Sequence, residues 1–218
     1  MPLAGRRARY LGFVAHELKN PLATALWSCD LLKRMEGEVR SGPKGEKMVD
    51  VSLRALRRMR RLVDDYFTIE RLLEQGYELR KETVVVRDLL AESVSMLADK
   101  DGLATAGIQL DIPPQAQLVG DSDMLKRAMR AVLEHMCRPA PEPKVSVVAH
   151  PREQGGCNLL FRSEAPPTPL LPPPPEDRPS GDPAGAVLGF ALAATILEAH
   201  GGSIIESEGG LLVSLPAA

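Results

Sequence analysis

The stretch "FVAHELKNPLATAL", residues 13–26, sets a histidine, a carboxylate, an amide and a proline (His16, Glu17, Asn20 and Pro21) inside a run of helical apolar spacing. From Leu11, apolar residues recur at Val14, Leu18, Leu22, Ala25, Cys29 and Leu32, the alternating steps of three and four that one helix face requires. His16 falls off that seam and is expected to face water, and Asn20, one turn further on, shares its face. Pro21 has no N–H, and its ring crowds the carbonyl of Glu17, so a bend is expected beside the histidine.

Working outward, "SGPKG" (Ser41 to Gly45) signals a loop, and a second helix follows it. Met48, Ser52, Ala55, Met59, Leu62, Tyr66, Ile69 and Leu73 repeat in four-three alternation, a coiled-coil-like seam that Gly76 would end. Both helices are apolar beyond one facing stripe. Pairing two such hairpins into a four-helix bundle would cover the remainder, so a homodimer built on residues 1–79 is expected.

After residue 80 the pattern changes. "TVVV", "IQLDI", "QLV", "KVSVVAH" and "CNLLFRS" read as strands, Arg87 to Leu97 and Asp121 to Cys137 as helices, Val187 to Ala199 as a buried helix, and "SIIES" with "LLVSL" as a closing hairpin. Mixed in this order they predict an α+β chain, with the helical hairpin followed by a two-layer α/β sandwich over residues 80–218. A proline-rich segment, residues 165–184, is expected to be an extended loop.

Composition sets limits. The net charge of −2 over 218 residues offers no bulk attraction to nucleic acid or to anionic lipid. Arg54, Arg57, Arg58, Arg60 and Arg61 form a local basic run, read as a solvated helix face. The three cysteines, Cys29, Cys137 and Cys157, have no disulfide or zinc spacing, which suits a reducing cytoplasm. No apolar run is long enough for direct membrane insertion.

An exposed imidazole beside a carboxylate can attack phosphorus while the acid orients the ring and takes up its proton. The string "HELKNPL" resembles the H-box of sensor histidine kinases. The resemblance covers the whole chain. It implies that His16 is the phosphoacceptor, Glu17 its acid/base partner, and Asn20 the residue that orients water when a receiver domain is dephosphorylated. It also implies that the second domain has the histidine-kinase ATPase (Bergerat) fold and that the partner is a response-regulator receiver.

Against that family, the ATP site departs from the pattern. In "GDSDMLKRAMRAVLEHM", Ala131 and His135 stand where the family's magnesium-holding asparagines belong, and imidazole is a poor substitute for an oxygen ligand. In "LLFRSEAPP", Ser163 takes the place of the adenine-binding aspartate, and Ala165 and Pro167 replace glycines. The last Gly-rich box keeps Gly185 and Gly189 but has Val187 between them, where a side chain would obstruct phosphate. The expectation is a cytoplasmic, dimeric histidine phosphotransferase, a pseudokinase that needs no cofactor. The alternatives are a divergent Mg-ATP-dependent kinase and a silent scaffold for a response regulator.

Overall fold

A computed structural model describes residues 3–74, 78–101, 104–137, 142–153, 155–164, 184–207 and 209–216. Most of the proline-rich segment, with Ala165 and Pro167, and the expected stop at Gly76 lie outside the described residues. The chain divides into two compact units between Glu70 and Arg71, with a further division within the last helix after Leu188.

The first unit is helical. Helix α1 (Leu3–Arg34) is one continuous helix with Pro21 inside it, a short α2 (Gly37–Arg40) follows, and α3 spans Pro43–Leu73. The expected loop at Ser41 to Gly45 shrinks to Ser41 and Gly42, because Pro43 opens α3, the one helical position where a missing N–H costs nothing. Gly45 is buried in the first turn, and a Cβ there would lie 1.8 Å from the Arg40 carbonyl oxygen. This close approach requires glycine.

On α3 the seam runs as its spacing predicts. Ser52, Ala55, Leu62 and Ile69 are buried, and Met48, Met59, Tyr66 and Leu73 are half-buried. On α1 the buried stripe differs from the expected one: it comprises Val14, Glu17, Pro21, Ala25 and Ser28, while Leu22 and Cys29 are exposed. The stripe follows the side that packs on α3, and Cys29 sits at its edge, exposed yet with its thiol 3.6 Å from the Ser52 hydroxyl. Both sides of α1 carry apolar residues, so apolarity alone could not choose between them. Left outside are Leu22, Leu26 and Trp27 on α1, and Val49, Leu53, Leu56 and Phe67 on α3.

The second unit has the order β1 (Glu82–Val85), α4 (Val86–Asp101), β2 (Ile108–Asp111), β3 (Gln117–Gly120), α5 (Ser122–Cys137), β4 (Val145–Pro151), β5 (Gly156–Ser163), α6 (Ala184–Ala199), β6 (Ser203–Ser207) and β7 (Gly210–Pro216). Strands β1 and β3 pair antiparallel. The larger sheet runs β2-β4-β5-β7-β6, parallel between β2 and β4 and antiparallel elsewhere.

Register places the apolar residues of neighbouring strands side by side. Val147, Phe161 and Leu211 align, as do Ala149, Leu159 and Val213, and all are buried. Strand alternation thus gives one buried face, and α5 supplies Leu125, Met129, Val132, Leu133 and Met136 to the core. Helix α6 starts three residues before the expected Val187, so Gly185 and Val187 belong to a helix. Among the described residues, no helix is long and apolar enough to cross a membrane.

Candidate functional site

His16 and Glu17 are neighbours in α1 that face different surroundings. The imidazole side chain is 53% exposed, whereas the Glu17 side chain is 8% exposed. Helical geometry turns successive residues by about 100°, so a residue beside the buried stripe lies outside while the next lies within it. Nδ1 of His16 lies 3.3 Å from Glu17 Oε1. With its proton on Nδ1 the ring donates to that oxygen, which leaves Nε2 as the unprotonated, outward nitrogen.

A buried carboxylate needs partners. The second oxygen of Glu17, Oε2, lies 4.0 Å from Arg58 Nη2 on α3. Arg58 comes from the basic run read as a solvated face and stays exposed there, with 45% of its side chain accessible, while its guanidinium approaches the buried acid.

Asn20 is exposed one turn beyond His16 on the same helix. Its backbone carbonyl accepts a hydrogen bond from Thr24 Oγ1 at 3.0 Å, and the Thr24 carbonyl accepts one from Ser28 Oγ at 2.8 Å. These side-chain bonds add partners for backbone carbonyls in the turns after Pro21.

The other site residues expected from the sequence lie in the second unit. Ala131 is buried on α5, and a Cβ added at Gly189 of α6 would lie 3.7 Å from its methyl group. His135, one turn on, is buried with its ring 5.1 Å from that of Phe190. Methyl and buried imidazole do not fit magnesium, which is held by oxygen ligands and water. Ser163 is half-buried at the end of β5, opposite Val145 of β4. Gly185 lies in the first turn of α6 and Gly189 further along it.

Sequence reasoning did not find the fastening around α5. Asp121 caps that helix, accepting from Met124 N–H through Oδ1 at 3.1 Å and from Arg80 N–H through Oδ2 at 3.2 Å. His200 Nε2 accepts from Asp121 N–H at 3.0 Å. The available signal was the "HGG" ending, His200 to Gly202, that follows the last helix.

Residues 6–75 match the His Kinase A (phospho-acceptor) domain. That match covers the helical unit, and together with the fold of the second unit it makes the chain similar to sensor histidine kinases. Among curated proteins it is similar to the sensor protein DivL of Caulobacter vibrioides, 25% identical over 205 residues, which cover 92% of this chain and 26% of DivL. The chain therefore spans about a quarter of that relative's length. Among solved structures it resembles the Acinetobacter baumannii histidine kinase AdeS (TM-score 0.66, 18% identity, 92% of this chain and 97% of that one). It also resembles full-length ShkA, solved in complex with AMPPNP (TM-score 0.58, 17% identity, 93% of this chain and 45% of that one). At these identities the likeness concerns the fold, and it agrees with the α+β expectation.

Proposed function

We propose that this chain is a dimeric histidine phosphotransferase of two-component signalling, exchanging a phosphoryl group between His16 and the aspartate of a receiver domain without using ATP. The observation that carries the reading is the exposed imidazole whose Nδ1 meets the buried Glu17 carboxylate at 3.3 Å. Nε2 is then free to attack the acyl phosphate of a receiver. The N–P bond forms as the P–O bond breaks, the aspartate leaves with the electron pair, and Glu17 takes up the Nδ1 proton. Such transfer asks chiefly for positioning, and a receiver brings its own magnesium site.

Support for independence from ATP comes from Ala131 and His135 themselves, a methyl group and a buried imidazole where magnesium requires oxygen ligands. Support for the dimer comes from Leu22, Leu26, Leu53 and Leu56, apolar side chains left on the outside of the helical unit. The deciding experiment uses two donors, γ-labelled Mg-ATP and phosphorylated receiver domains, with His16→Ala as control. Acid-labile label from receivers alone is expected. Label from ATP that depends on His16 would establish an active kinase instead, and no label from either donor would leave a scaffold.

A further inference from the structure

We infer that Arg58 is a positioning residue for His16, acting through Glu17; the role in transfer rests on the phosphotransfer reading above, but the positioning itself does not. Glu17 is almost wholly buried, yet one oxygen meets the His16 ring at 3.3 Å and the other lies 4.0 Å from the Arg58 guanidinium. A buried carboxylate is oriented by the cations and hydrogen-bond donors that meet its oxygens. The ring is the group to be positioned, so the orientation of the carboxylate must come from another partner. Arg58 is permanently charged, and it belongs to the other helix of the hairpin.

The chain of cause runs from α3 to the nucleophile. The Arg58 guanidinium draws Oε2 toward α3, which leaves Oε1 turned to Nδ1. An oxygen held there as acceptor selects the tautomer with hydrogen on Nδ1, and that tautomer carries its lone pair on Nε2 of the exposed ring. Arg58 touches neither the ring nor a phosphoryl group in this role. Arg57, its neighbour in the basic run and exposed like it, makes an internal control of equal charge.

The test is the ¹⁵N spectrum of His16 in the full chain, compared among wild type, Arg58→Ala, Arg58→Lys and Arg57→Ala, with helix content checked by circular dichroism. The expected result is a predominance of the Nδ1-protonated tautomer in wild type and Arg57→Ala, its loss in Arg58→Ala, and its recovery in Arg58→Lys. An unchanged tautomer ratio in Arg58→Ala overturns the inference. Labelling of His16 by phosphoramidate, a small donor that needs no docking, gives the second readout. A fall of about tenfold or more in Arg58→Ala is expected, part of the range that proton-transfer partners contribute. If wild type takes no label from phosphoramidate or from receivers while the tautomer follows Arg58, the phosphotransfer reading fails and the positioning role stands. If Arg58→Ala takes label at the wild-type rate with an unchanged tautomer, the reverse holds.

Discussion

His200 holds Asp121 by its backbone: Nε2 accepts the Asp121 N–H at 3.0 Å, while Nδ1 lies 2.7 Å from the Ile196 carbonyl and donates to it. This pairing fixes the neutral ring in one tautomer and ties the end of α6 to the cap of α5. Gly120 completes the fit, since a Cβ there would lie 2.8 Å from both His200 Cδ2 and Leu125 Cδ1. His200→Ala is expected to lower unfolding stability by about 1–2 kcal/mol, the effect of an unsatisfied hydrogen-bonding group. Gly120→Ala is expected to cost about 1–3 kcal/mol through crowding, and less when His200 is already alanine. Urea unfolding of the two single variants and the double variant measures the coupling, and strict additivity would refute the contact.

The buried thiols predict a pH effect at the alkaline end. Burial pushes Cys137 up from the ordinary value near 9 to about 11, assisted by the charge of Glu134. It pushes Cys157 to about 11 as well, against a small opposing effect of a backbone bond from His150. Between pH 9 and 11 the unfolded chain has released these protons and the native chain has kept them. Stability is therefore unaffected by these groups below about pH 9 and declines as the pH rises toward 11. Denaturation at a series of pH values checks this. Ellman's reagent at pH 8 should leave both thiols unmodified until the protein is unfolded, and rapid reaction of either in the native state would contradict their burial.

The turn into α3 predicts a sharp response at one glycine. Gly45→Ala sets a methyl against the Arg40 carbonyl and is expected to lower the melting temperature of the helical unit, with a loss of at least about 1–3 kcal/mol. The same change at Gly37, where a Cβ meets nothing within 4 Å, is the control and should be neutral or slightly stabilising. Equal melting temperatures for the two variants would show that the turn gives way freely.

The dimer reading places the exposed apolar residues in an interface. Leu26→Glu and Leu53→Glu, each introducing charge on that surface, are expected to convert a dimer to a monomer in sedimentation velocity while helix content persists. A monomeric wild type at micromolar concentration would refute the dimer without touching the chemistry at His16.

Most of the fold was legible from periodicity. β6 spans Ser203–Ser207, the same five residues that alternation and flanking glycines mark out, and the α3 seam follows its spacing residue for residue. The α1 face was not legible, because Leu22 and Leu26 make an outer stripe as apolar as the inner one, and the inner one includes Glu17 and Ser28. A buried acid contradicts the polarity rule on which face assignment depends. The exposure of His16 could be read from its place off the seam. The burial of Glu17 and its pairing with Arg58 could not, since both depend on the register between two helices separated in sequence by a turn. The start of α6 was missed for a different reason: glycines in a Gly-rich box suggest loop, whereas here alanine and leucine neighbours carry the helix through them.

The acid lies inside the hairpin and the nucleophile outside it, so the two halves of the site are exposed to different evolutionary pressures. Lys19 and Ala23 are exposed on the helix that carries His16, and residues of this kind can drift to suit a new partner's surface. Glu17 is held by packing and is screened from that drift. A hairpin built in this way can be readdressed to another cognate after gene duplication while its reactive chemistry is inherited unchanged.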